Sequence, residues 1–265
     1  MIRRLEEADR GALMSLLSKD PAINLYIIGD VENFGFEQDF MELWGEFTEA
    51  DGKLIAVLLR FFGSFLPYAD GPFDAAGFAA LMKESKKFEM VSGSAKVVTA
   101  VAGHLNFRIE KQMRFAELRK LNSIVHTSTV TSHVIKKATV DDVEAVCSLT
   151  DQIEEFMSNT DDSRRSLRKT LETGTGRTYY IEQNGQVIAT ASTSAESSMS
   201  AMIVAVATHP AYRGQGLASQ VVARLCTDIK AEGITPCLFY DNPQAGLIYH
   251  KLGFQDIGFW TMLYM

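Results

Sequence analysis

Polar and apolar positions along the second half of the chain switch between two periods. "HVIKKA" (133–138) alternates and predicts a strand. "TVDDVEAVCSLTDQ" then takes helical spacing, with Thr139 placed as an N-cap and acids in the first turn. A polar helical region over roughly 152–172 closes at "ETGTG". "RTYYIEQ", the Asn184-Gly185 pair and "QVIATASTS" predict a hairpin, because both central residues of a tight hairpin turn need positive φ. "MSAMIVAVAT" is apolar on both faces, the pattern of a central strand. Leu217, Val221, Val222, Leu225 and Ile229 recur at helical spacing up to Gly233. "ITPCLFY" reads as a strand, "NPQAGLIYHKL" as a helix and "GFQDIGFWTMLYM" as one or two closing strands. The order β-α-α-β-β-β-α-β-α-β describes an α/β fold, a mixed sheet with helices on both faces.

The pattern occurs twice. "IRRLEEAD" opens at Ile2 and "IKKATVDD" at Ile135; "DGKLIA" (51–56) and "NGQVIA" (184–189) repeat at the same offset of 133. "HLNF" (104–107) and "KLGF" (251–254) pair at 147, so the second copy carries about 14 extra residues after its hairpin. These matches predict two tandem lobes, 1–121 and 133–265, joined by the Ser/Thr/Val-rich link 122–132.

A length of 265 residues suits two domains, and 46% hydrophobic with 22% charged residues is the composition of a soluble globular protein. "MIRRLEEADRG" has no apolar core of a signal peptide, and the longest apolar runs are far too short to span a membrane. Three scattered cysteines, Cys147, Cys226 and Cys237, argue for reduced thiols and a cytoplasmic protein. The net charge of −7 is shared by both halves, and no basic face offers itself to nucleic acid. From Asp20 to Gly52 nine acids occur without a Lys or Arg. This stretch is either a solvated surface or a region that draws a cationic substrate.

Candidate chemistry centres on "THPAYRGQGLASQVV" (208–222), where two glycines precede a helix. Bare amides at a helix start bind anions, and glycine lets a ligand come close to the backbone. A Walker loop would need Gly-Lys-Ser/Thr, and a dinucleotide fingerprint would put Gly or Ala where Ser219 stands. The segment resembles instead the cofactor motif of GNAT-type acyltransferases, R/Q-x-x-G-x-G/A, with Arg213, Gly216 and Ala218 in place. Further on, "NPQAGLIYHKLGF" is similar to their second signature through Asn242, Ala245, Tyr249, Gly253 and Phe254. The resemblance covers 133–265. The first half shares the element order without the motifs, and there Ala102 aligns with Tyr249. It therefore looks like a degenerate GNAT-like lobe, as in tandem members of the family.

The resemblance implies a site. Acetyl-CoA would be the co-substrate, its pyrophosphate held by the amides of Gly214, Gln215, Gly216, Leu217, Ala218 and Ser219. Val206, Ala207 and Thr208 would pair with the pantetheine arm as an added strand does, and Asn242 would contact the cofactor near the thioester, or simply cap its helix. Tyr249 would be the catalytic residue that hydrogen-bonds or protonates the leaving thiolate; from spacing alone it equally reads as a core aromatic. A phenol near pKa 10 is a weaker acid than a thiol near 8.5, so full transfer is uphill by about 2 kcal/mol. Several family members carry a carboxylate on the fifth strand, where this sequence has Cys237. His209 and His250 adjoin the motifs but stand at no family position. The base is left as a water relay or a group from the first half. No metal is expected.

The resulting expectation is an acetyl-CoA-dependent N-acetyltransferase acting by direct transfer on a primary amine of a small molecule, amino acid or peptide. A non-catalytic acyl-CoA-binding sensor or partner protein is the alternative. The segment 150–166 falls where the family shapes its acceptor pocket; with the acidic 20–52 stretch it favours a cationic amine. A separate 133–265 fragment is expected to keep cofactor affinity.

Overall fold

The computed structural model describes residues 1–122, 133–156 and 160–265, without the side chains of 155, 160 and 161. The link 122–132, but for Asn122, lies outside them. The chain divides into two compact units, one of residues 1–115 with 257–265, the other of residues 116–256.

The repeat holds element by element. The first copy runs β1 (Ile2–Arg4), α1 (Arg10–Leu17), α2 (Leu25–Phe34), β2 (Met41–Phe47), β3 (Leu54–Phe61), β4 (Ser64–Ala69), α3 (Ala75–Glu84), β5 (Met90–Ser94), α4 (Ala95–Ala102) and β6 (Ile109–Glu117). The second follows with β7 (Ile135–Lys137), α5 (Val143–Thr150), α6 (Thr160–Thr173), β8 (Thr178–Gln183), β9 (Gln186–Glu196), β10 (Ser200–Thr208), α7 (Leu217–Ala231), β11 (Thr235–Tyr240), α8 (Pro243–Leu252) and β12 (Gln255–Tyr264). Each opening strand leads through a 3₁₀ turn whose ends reciprocate side-chain hydrogen bonds, Glu6 with Asp9 and Thr139 with Asp142.

In the second unit β7, β8, β9 and β10 are successively antiparallel and β11 joins β10 in parallel. Helices α7 and α8 cover one face, where Val221, Val222, Leu225 and Leu252 pack with Ile188, Ile203 and Leu238. On the other face Val146, Leu149 and Ile153 meet Tyr180, Val187 and Ala207. The first unit repeats this order from β1 to β5, and Leu58, Phe65, Phe78, Met82 and Val98 form part of its core.

The closing strands depart from a simple cut. β12, the end of the second copy, lies antiparallel to β5 and sends Leu263 into the first unit's core. β6, the end of the first copy, finishes beside β11: Ala116 and Leu118 join the second core, and Leu118 N–H donates to Pro236 O at 2.8 Å. Asn122 N–H donates to Leu252 O at 3.0 Å, and a Cβ on Gly253 would stand 2.4 Å from Lys120 O. The unit boundaries thus differ from 1–121 and 133–265. A 133–265 fragment lacks residues 116–122, which the second unit's core and backbone use, so the expectation that it retains the site is withdrawn.

Among the described residues no helix is long and apolar enough to cross a membrane, and all three cysteines are buried and unbridged.

Candidate active site

Strand β10 changes its pairing along its length. Its parallel ladder with β11 runs from Ser200↔Thr235 to Ile203↔Leu238 and, among the described residues, goes no further. Beyond that point its register with β9 shifts between Val204 and Ala207, and Ala205 has φ +51°, the signature of a bulge. The bulge turns Val206 toward the α7/α8 core and Ala207 toward α5 and α6. Val206, Ala207 and Thr208 then border β10 where it has lost β11 as a neighbour. Backbone groups without a ladder partner accept an extended ligand as an added strand.

The glycine loop follows. His209 Nδ1 caps the 3₁₀ turn Pro210–Tyr212 by accepting from Ala211 N–H at 3.2 Å, so this histidine is structural. Arg213 Nε reaches back to Thr208 O at 3.4 Å. Gly214 and Gly216 sit at φ +80° and +75°, and a Cβ on either would meet no protein atom within 4 Å. The backbone conformation favours glycine, and no described residue fills the space beside it. Gly216 is the N-cap of the 15-residue α7 and brings no capping side chain. The first helical bond runs from Gln220 N–H to Gly216 O, which leaves the amides of Leu217, Ala218 and Ser219 aimed out of the helix end without helical acceptors. An open, dipole-positive helix start fits a phosphate.

Helix α8 supplies the remaining residues. Asn242 Oδ1 caps it by accepting from Gln244 N–H at 2.9 Å, so the capping role is realised. Tyr249 is 7% exposed, its ring edge-on to Tyr240 at 5.7 Å and to Phe254 at 5.9 Å. Its hydroxyl takes no hydrogen-bond partner among the described residues. It is not sealed in, because the one buried side-chain polar atom lacking a partner there is Asn24 Oδ1. Burial pushes the Tyr249 phenol up to about 12. The tyrosine is thus both a core aromatic and the carrier of an unused donor.

Two features escaped the sequence. Tyr240, at the end of β11, donates to Asp256 Oδ1 at 2.8 Å, and His250 Nε2 lies 3.1 Å from both groups. A Cβ on Gly246 would come within 2.5 Å of the Tyr240 ring, so α8 rests directly on it. The ring that flanks Tyr249 is therefore anchored at its face and at its hydroxyl. The second feature is Glu117, the one carboxylate among the described buried residues. Its signal was a single acid within the apolar run "FAEL", legible only once β6 is known to end beside β11. Cys237 is fully buried, its thiol pushed up by burial, which removes it as a proton acceptor at neutral pH.

The equivalent place in the first unit is closed. Asp74 Oδ1 caps α3 by accepting from Gly77 N–H at 2.8 Å, and Glu46 accepts from Asp74 N–H at 2.8 Å. Two carboxylates occupy the helix start where the second unit offers bare amides. A Cβ on Gly93 would stand 3.2 Å from Pro67 O, so β4 lies against β5 there, beyond their ladder pairs Ser64↔Met90 and Phe65↔Val91. Among the described residues no group of three or more His, Cys, Asp or Glu is placed to hold a metal.

The sequence profile of the GNAT acetyltransferases matches residues 34–263. The chain belongs to the GNAT acetyltransferase family. The match spans both sequence copies. This GNAT protein is similar in fold to a GNAT-family acetyltransferase from Colwellia psychrerythraea (13% identity, 100% of this chain and 99% of that one, TM-score 0.57). It is similar to a GCN5-related N-acetyltransferase-like protein from Streptococcus suis (15%, 98% and 100%, TM-score 0.57). A tandem GNAT protein from the clavulanic acid biosynthesis pathway shares the fold along the whole chain (12%, 100% and 98%, TM-score 0.58). At these identities the likeness is one of fold. Among curated proteins none matches the chain in sequence.

Proposed function

We propose that this GNAT protein moves an acetyl group from acetyl-CoA directly to a primary amine of a small molecule, amino acid or peptide, at its second unit. The observation that carries the reading is the coincidence of three unused features within one unit. They are the uncapped start of α7, the parted strands β10 and β11, and the unpartnered Tyr249 hydroxyl. Bound acetyl-CoA would supply an acyl group activated as a thioester.

The chain's own residues do the rest. The amides of Gly214 through Ser219 hold the pyrophosphate, and the two positive-φ glycines keep its approach clear. Val206, Ala207 and Thr208 align the pantetheine arm along β10 as an added strand. Asn242, committed through Oδ1 to its helix, sets the entry of α8 and with it the place of Tyr249. Tyr249 donates a hydrogen bond to the sulfur as charge builds there. A cationic acceptor fits the acidic balance of the chain, and three reduced, buried cysteines fit the cytoplasm.

The test is release of CoA thiol during incubation of the full chain with acetyl-CoA and putrescine, spermidine, lysine, glycylglycine or glucosamine. Amine-dependent release is expected. Tight acetyl-CoA binding without turnover on any of them would leave the sensor reading in its place.

A further inference from the structure

Transfer to an amine has a proton problem. An alkyl ammonium titrates near pKa 10 and is no nucleophile until it loses a proton. Most carboxylates of the second unit are already committed: Glu144 and Asp151 hold Arg164, and Glu196 and Glu232 hold Arg177. Glu117 differs. It too pairs with an arginine, Arg119 Nε at 2.5 Å, but that side chain is 76% exposed while Glu117 itself is 7% exposed.

The alternation of the strands says which way it faces. Ala116 and Leu118 belong to the α7/α8 core, as do Ala201, Ile203 and Leu238. Side chains one position away point to the opposite face. Glu117 therefore shares with Met202 and Cys237 the face that α5 and α6 cover, Met202 and Cys237 being direct ladder partners. Burial raises the Cys237 thiol and the Glu117 charge raises it further, which places the carboxylate beside it. Met202 stands two positions before Val204, where the β10 bulge begins, roughly 7 Å along a strand. Glu117 thus lies below the β10 bulge, across the sheet from α7.

We propose that Glu117, which precedes the link between the two sequence copies, binds the acceptor ammonium and takes its proton. This rests on acetyl transfer at the second unit. The acceptor arrives as R–NH3+ and Glu117 takes one proton. The freed lone pair forms the N–C bond at the thioester carbonyl, and collapse of the oxyanion breaks the C–S bond. The nitrogen's second surplus proton ends on the departing sulfur, whose charge Tyr249 has stabilised meanwhile. Glu117 returns its proton to water, so the products are an amide, the CoA thiol and one proton. The first copy, having lost its own site, supplies in this way one residue to the other.

The test compares wild type, Glu117→Gln and Glu117→Asp in the full chain. The readouts are acetyl-CoA affinity by calorimetry, thermal unfolding, and kcat/KM against pH with the best amine of the panel. Glu117→Gln should bind acetyl-CoA within about twofold of wild type and lose on the order of a hundredfold in kcat/KM at pH 7. That deficit should shrink about tenfold per pH unit as the free amine grows. Glu117→Asp should recover part of the rate. Wild-type turnover with an unchanged pH profile in Glu117→Gln overturns the proposal. So does a parallel loss of acetyl-CoA binding and unfolding temperature in both variants, which would make Glu117 structural. Wild-type protein that binds no acetyl-CoA, or releases CoA with no amine, refutes the transfer reading itself and is read before any variant.

Discussion

Replacing Tyr249 by phenylalanine removes one oxygen and leaves the ring contacts with Tyr240 and Phe254 in place. Because that hydroxyl has no partner among the described residues, its loss strands no donor or acceptor there, and the unfolding temperature should move by no more than about 2 °C. The effect on rate follows from the acidity. With the phenol at about 12 and a thiol near 8.5, full proton transfer from Tyr249 to the leaving sulfur is uphill by about 5 kcal/mol. The hydroxyl therefore acts as a hydrogen-bond donor that keeps its proton. A hydrogen bond to a charged group is worth about 1.5–3 kcal/mol, which corresponds to a loss of roughly 10- to 150-fold in kcat. Acetyl-CoA affinity should hold, because the bond strengthens only as the thiolate forms. The pH–rate profile should keep its shape and drop in height, since Tyr249 does not titrate in the working range. Stopped-time assays of thiol release, with calorimetry for binding, measure each part. A kcat within twofold of wild type would show the donor to be idle, and a new basic limb would show that the tyrosine gives up its proton after all.

Three further outcomes are expected. Gly216→Val should fold, since a Cβ there meets no described atom within 4 Å and the positive φ costs only about 1–2 kcal/mol, yet lose acetyl-CoA affinity more than tenfold by calorimetry. Calorimetry on wild type should give one acetyl-CoA per chain, because Asp74 and Glu46 occupy the helix start in the first unit; two equivalent sites would contradict the closed-copy reading. Asp30, raised by burial from 3.8 to about 7, keeps its proton longer folded than unfolded, so its contribution to stability is present below pH 4 and is lost as pH rises to 7. Asp30→Asn should accordingly match wild type in urea unfolding at pH 4 and exceed it at pH 8 by up to about 4 kcal/mol; equal gains at both values would assign the effect to packing.

Local signals in the chain were strong where the physics is local. The offset of 133 between Ile2 and Ile135 reappears in the first strand, the 3₁₀ turn and the first helix of each copy. Asn184 and Gly185 both take positive φ, as their hairpin turn requires. The open start of α7 follows from two glycines that no side chain can replace as caps. The strand exchange had no local signature: β6 and β12 each satisfy the same alternation beside either neighbour, and only distant pairing decides between them. Glu117 was hidden for that reason, since a charged residue acquires a role only when its neighbours across the sheet are known. In the first copy the missing motif was legible, but the bond from Gly77 N–H to Asp74 was not.

The placement of β12 has a consequence for synthesis. The first unit lacks β12 until residues 257–265 have left the ribosome, after all of residues 116–256 have been made. At ordinary translation rates of about 5–20 residues per second, β5 waits roughly 7–30 s with one edge unpaired. A chain lacking residues 256–265 would therefore keep the helix start of α7 and spoil instead the unit made first. Quality control acting on such a product would meet an open sheet edge at the N-terminal end of the molecule, and the two copies, though repeated in sequence, would be kept or degraded as one.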